Sequence, residues 1–136
     1  MSWSTWTENG FGFPLLNDHN EKKIKEFIIK RLDPEDDRVQ KVIEAEDPWE
    51  YHELFDQPLS WTIASMIREE TGCKLVTGYD SCGDTDQEEY IGICQDYPWF
   101  IETKITKEEA ISMLSKYAEE LGVDARPEYF VAEYCG

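Results

Sequence analysis

The chain has 136 residues and a mass of 15.9 kDa, the size of one domain with one hydrophobic core. Its 13 basic residues against 30 acidic ones leave a net charge of −17, which repels phosphate and excludes nucleic-acid binding through a basic footprint. Hydrophobic residues make up 40% and aromatics 13%, too much for a disordered chain, yet no apolar run approaches the roughly 18 residues of a membrane span. The opening Met1-Ser2-Trp3-Ser4-Thr5-Trp6-Thr7-Glu8 has neither the basic start nor the apolar stretch of a secretion signal, so a cytoplasmic protein is expected.

Residues 1–16 are aromatic and nearly uncharged, with Asn9-Gly10 between Trp6 and Phe11. Asn-Gly between β-prone residues predicts a strand, a tight turn and a short second strand ended by Pro14. Asn17 or Asp18 then caps a helix from about Asn20 to Leu32, whose Ile24, Phe27, Ile28 and Leu32 form one buried stripe. Lys22, Lys23, Lys25, Lys30 and Arg31 take the remaining face and make the chain's only basic surface. Asp33-Pro34-Glu35-Asp36 carries a helix-start pattern: an acid cap, proline at the first helical position and acids in the first turn. Val39, Val42 and Ile43 supply the stripe after it. Asp47-Pro48 and Gln57-Pro58 repeat the signal. The first opens a short helix through Phe55. The second opens a longer one with Leu59, Ile63, Met66 and Ile67 on one face and Gly72 as its stop. The intervals are too short and unequal for a repeat array.

Past Gly72 the period changes. Cys73–Tyr79 and Glu89–Cys94 read as paired strands around a polar loop. Thr106-Lys107-Glu108-Glu109 is a capping box. The helix it starts carries Ala110, Ile111, Leu114, Tyr117, Ala118 and Leu121 on one face, and Gly122 ends it. Glu128–Tyr134 reads as a last strand. The expectation is one α+β domain over residues 1–136: a small, mainly antiparallel sheet, a helical block inserted after the N-terminal strands, and one long helix towards the C-terminus.

Little in the chain points to catalysis. Cys73, Cys82, Cys94 and Cys135 form no C-x-x-C pair and match no standard zinc spacing. The acidic loop at 80–89 fails the calcium template, because Cys82 and Thr85 stand at its third and sixth positions. Neither metal nor cofactor is expected, and a metal-binding regulator built on that loop or on Cys73, Cys82 and Cys94 is a minor alternative. His52-Glu53 lacks the second histidine of a zinc-protease helix, since Asp56 stands there. Neither a G-x-S-x-G elbow nor a phosphate-binding loop occurs, and Gly10-Phe11-Gly12 lacks a third glycine at dinucleotide spacing. The reading is a protein that is not an enzyme.

What remains is surface. From Asp33 to Pro58 ten acids face two bases, a net of −8, whereas residues 1–32 carry +1. Residues Cys73–Lys104 carry −5. Carboxylates about 5–6 Å apart on helices imitate phosphate spacing and suit an Arg/Lys-lined channel. Exposed aromatics among them, expected at Trp49, Tyr51, Phe55 and Trp99, would anchor an interface. The candidate partner-binding residues are Glu44, Glu46, Trp49, Glu50 and Glu53 on the helical block, with Asp84, Asp86 and Glu88 on the loop.

Ser4-Thr5-Trp6-Thr7-Glu8-Asn9-Gly10-Phe11-Gly12-Phe13, the Tyr97-Pro98-Trp99 connector and the Thr106-Lys107-Glu108-Glu109 helix start resemble small uncharacterised proteins of bacterial phages and mobile elements. That resemblance implies an inhibitor of host defence, with anti-CRISPR proteins as the type, and supplies no catalytic residue. The expected function is an acidic, non-enzymatic protein that blocks the nucleic-acid-binding surface of a basic host protein. The alternative is an immunity or antitoxin partner of a basic nuclease.

Overall fold

A computed structural model describes residues 5–17, 19–46, 48–73, 75–79, 89–93, 106–124 and 127–135; for 5–9, 48, 49, 78, 79, 107 and 129–135 it describes the backbone alone. The elements run β1 (Thr5–Pro14), α1 (Glu21–Arg31), α2 (Arg38–Glu44), α3 (Pro48–Phe55), α4 (Leu59–Thr71), β2 (Val76–Tyr79), β3 (Glu89–Ile93), α5 (Lys107–Leu121) and β4 (Glu128–Cys135). The strands form one antiparallel sheet in the order β2-β3-β1-β4. This is the expected α+β architecture, with four helices between the first and second strands.

The N-terminal hairpin is corrected. Thr5–Pro14 is one unbroken strand, and Asn9 and Gly10 pair with Val131 and Phe130 in its middle. Asn-Gly favours a tight turn only when the flanking residues find their partner locally. Here β4 supplies a longer partner, eight residues in register, and the turn is overridden. Gly12 is required for a different reason. It faces Gly92, and a Cβ on it would stand 1.9 Å from the Ile91 carbonyl oxygen. No side chain fits there.

Directly paired residues share a face of the sheet, so Phe11, Phe13, Ile91 and Ile93 lie on one side. Phe13, Ile91 and Ile93 are fully buried together with Ile24, Phe27, Ile28, Ile63, Ile67, Leu114 and Leu121 of the helices. Helix α4 packs on β2 and β3, and α5 on β3 and α1; α2 and α3 pack on α1 and α4, respectively. Glu89 sits on the same side of β3 as Ile91 and Ile93, and its carboxylate accepts hydrogen bonds from Ser60 N and Ser60 Oγ, both at 2.9 Å. A charged acceptor thus fills the exposed amide end of α4.

The helix boundaries show where local signals were outcompeted. Helix α2 begins at Arg38, not at Asp33. The Asp33 carboxylate accepts from Glu35 N at 2.9 Å and its carbonyl from Asp36 N at 2.8 Å, so the acids and proline close a turn instead. Pro58 is the residue before α4 rather than its first. Asn20 precedes α1, but its side chain faces inward. Its Nδ2 donates to Leu15 O at 2.7 Å and Leu121 O at 3.0 Å, and its Oδ1 accepts from Asn17 N at 2.9 Å. Asn20 therefore joins the β1–α1 connector to the end of α5. The capping box at Thr106 forms as expected, with Thr106 Oγ1 accepting from Glu109 N at 3.1 Å. Gly72 and Gly122 end their helices in the left-handed conformation, with φ of +75° and +72°.

Candidate functional site

An acidic face is built from α2 and α3. Glu44, Glu46, Glu50 and Glu53 are all exposed. Glu44, Glu50 and Glu53 line one groove of about 370 Å³ with Leu54, and Lys41 is its one basic lining residue among the described residues. Two helices, connected by only three residues, thus bring three carboxylates to one concavity. Glu46 lies in the connector, and its amide donates to Glu50 Oε2 at 2.6 Å. Glu50 therefore has a structural duty as well as a charge. Gln40 Nε2 donates to Glu44 Oε1 at 3.0 Å, one turn along α2.

The pair of helices is fastened from both ends. Arg38 opens α2, binds Asp36 through two nitrogens (Nε to Oδ1 at 3.1 Å, Nη2 to Oδ2 at 2.7 Å), and stacks 4.9 Å above the Phe55 ring of α3. The Arg38 hydrogen bonds hold the Asp36 carboxyl down to about 2. At the other end of α2, Lys25 of α1 donates to the carbonyls of Ile43 at 3.0 Å and Ala45 at 2.7 Å. An ammonium at a helix C-terminus opposes the negative end of its dipole.

The basic stripe expected on α1 is divided. Lys22, Lys23 and Lys30 are exposed, whereas Arg31 folds inward with its side chain 11% exposed. It stacks 3.5 Å above the Phe27 ring. Arg31 donates to Glu70 at 2.6 Å and to both Glu120 oxygens at 3.0 Å, so it ties α1 to α4 and α5. That hydrogen bonding lowers the Glu120 carboxyl from its ordinary value. Arg31 is thus spent inside the fold, while Lys22, Lys23 and Lys30 stay at the surface.

The aromatic part of the expected face is corrected. Tyr51 is 1% exposed, because Tyr51, Leu54 and Phe55 follow the i, i+3, i+4 spacing that turns α3 inward. Phe55 is half-buried under Arg38. Among the described residues, the large apolar side chains that do stand out are Ile43, 47% exposed on α2, and Trp61, 43% exposed on α4. Ile43 thus leaves the stripe expected with Val39 and Val42, since a helix of seven residues buries little more than the single position Val42. The signal for Trp61 was present in the sequence: Trp61, Ala64, Ser65 and Arg68 form a second stripe beside the buried one.

The side chain of Trp49 and all of Asp84, Asp86 and Glu88 lie outside the described residues, as do Cys82, Cys94 and Trp99. Cys73 is a buried free thiol. Among the described residues, no three His, Cys, Asp or Glu side chains converge as a metal site, and no helix is long and apolar enough to cross a membrane. In comparisons with protein-family models, curated proteins and solved structures, nothing matches this chain.

Proposed function

We propose that this is a non-enzymatic binding protein whose α2–α3 face occupies the nucleic-acid-binding surface of a basic protein. One observation carries the reading. Glu44, Glu50 and Glu53 open on a single groove with Lys41 alone against them among the described residues, while Lys25, Arg31 and Arg38 are held in contacts internal to the fold. A concentrated negative face on a rigid helical pair complements an Arg/Lys channel in sign and spacing. The resemblance of the N-terminal strand, the Tyr97-Pro98-Trp99 connector and the Thr106 helix start to phage and mobile-element proteins supports a host defence effector as the partner. The inhibitor would then be of the anti-CRISPR type and act in the cytoplasm.

The test is affinity capture from a nuclease-treated bacterial lysate, with bound proteins identified by mass. Three baits are compared: the native chain, a Glu44/Glu46/Glu53→Lys variant that spares Glu50, and a control reversed at Glu69, Glu119 and Asp124, also exposed. The reading expects basic nucleic-acid-binding proteins on the native chain and the control, and their loss from the first variant. Equal loss from both variants would reduce the effect to bulk charge. A toxin nuclease as the captured protein would make the chain an immunity partner acting through the same face.

A further inference from the structure

A second surface, sharing no residue with the acidic face, runs along the exposed side of α4. Trp61, Ala64, Ser65 and Arg68 line a groove of about 390 Å³ with Gln57, Leu75 and Thr77. That volume lies near the lower end of the roughly 300–1,000 Å³ typical of ligand clefts, which suits a small molecule. Ala64, 8% exposed, leaves room in the groove, and Trp61 stands 43% exposed beside it. Gln57 is fixed just before the helix, its Nε2 donating to Thr62 Oγ1 at 3.1 Å. Leu75 and Thr77, both partly buried, contribute the strand side, where α4 packs on β2.

Two polar groups in this groove are left over by the fold. Of the three arginines with described side chains, Arg31 and Arg38 are ion-paired, whereas Arg68 is exposed and forms no ion pair among the described residues. Other helix hydroxyls turn back on their own backbone. Thr71 Oγ1 donates to Ile67 O at 2.7 Å, and Ser115 Oγ to Ile111 O at 3.0 Å. Ser65 is exposed and, among the described residues, its hydroxyl makes no such bond. Ser65 and Arg68 are three residues apart and so are neighbours on one helix face. Trp61 lies one turn before Ser65, about 6 Å along the axis. A guanidinium beside a hydroxyl offers donors to an anion, and an indole one turn away offers a platform to a flat apolar body.

We infer that this groove binds a small aromatic monocarboxylate, with the acid group between Arg68 and Ser65 and the ring against Trp61. Charge selects the acid. A chain of net charge −17 repels anions, and one guanidinium balances one negative charge, so a dianion keeps a charge that nothing in the groove offsets. Spacing selects the length, because a ring and a carboxylate joined by two methylene carbons span about one helical turn.

The probe is 3-phenylpropionate, titrated into the full chain at neutral pH beside its uncharged amide and phenyl phosphate. Binding is followed by the Trp61 indole resonance, assigned through Trp61→Phe, and by the backbone amide of Ser65. The expected result is saturable binding in the millimolar range, about fivefold weaker for the amide and for phenyl phosphate. Arg68→Gln should erase the preference for the acid over the amide. Trp61→Ala, read at the Ser65 amide, should weaken binding of the acid about fivefold and leave that preference in place. Both side chains are exposed, and melting curves of the variants check that the fold is kept. The inference is overturned if the acid moves neither resonance, or if the amide or phenyl phosphate binds as tightly. Persistence of the acid preference in Arg68→Gln, or unchanged binding by Trp61→Ala, would overturn it as well.

Discussion

Tyr51 shows how a single buried atom limits stability. Its ring fills the space between α3 and the core at 1% exposure, yet its hydroxyl has no hydrogen-bond partner. Burial, with Glu21 and Glu50 nearby, pushes the phenol up to about 12. The raised value means that the folded state holds the neutral phenol, so stability is complete below the ordinary tyrosine value of 10.0 and lost as pH rises towards 12. Tyr51→Phe keeps the packing and removes the unpaired hydroxyl. It should raise stability by about 1 kcal/mol in urea titrations at neutral pH and flatten the loss between pH 10 and 12. A loss of stability would mean that the hydroxyl has a partner. Arg31 is the opposite case, a charge whose partners are complete. Glu120 is lowered chiefly by its hydrogen bond to Arg31, so its contribution is present above the ordinary glutamate value of 4.5 and disappears as pH falls below it. Falling pH also relieves the chain's excess negative charge, so the native chain is compared with Arg31→Gln. The gap between their melting temperatures should narrow steadily from pH 5 to pH 3; a constant gap would assign the effect of Arg31 to its packing on Phe27.

At the scale of elements, the difference between what a sequence signals and what forms is competition for partners. The stripe Ile24, Phe27 and Ile28, the Thr106 capping box and the glycine stops at 72 and 122 were all legible, because their causes lie within one helix. The Asn9-Gly10 turn and the Asp33 helix start were misread, because β4 and the Asp33 side chain offered those residues better hydrogen bonds. Of the acidic face, the exposure of Glu44, Glu46, Glu50 and Glu53 could be read from the helical stripes. Their convergence could not, since it depends on the angle that Lys25, Arg38 and Phe55 impose on two short helices. Glycines separate local strain from tertiary closeness. Gly72→Ala meets nothing within 4 Å and should cost only the left-handed penalty of about 1–2 kcal/mol. Gly12→Ala drives a methyl into the Ile91 carbonyl, with no flexible atom to yield, and should cost more than about 4 kcal/mol or prevent folding. Denaturant curves of the two variants test the ranking. Equal losses would mean that β1 and β3 separate at little cost.

Across the whole molecule, the distribution of charge matters more than its sum. The fold draws Arg31 inward to join three helices and spends Lys25 and Arg38 on holding α1, α2 and α3 together. Outside stands a helical pair whose groove, among the described residues, carries three carboxylates and one lysine. The central claim is that this face and nucleic acid compete for one basic surface. Its most direct measurement is displacement of a fluorescent oligonucleotide from the captured partner by the native chain and by the Glu44/Glu46/Glu53→Lys variant. The account predicts that the native chain displaces the oligonucleotide, and that the variant needs about 10- to 1,000-fold more protein to do so. Simultaneous binding of both ligands, or equal displacement by the variant, would contradict it.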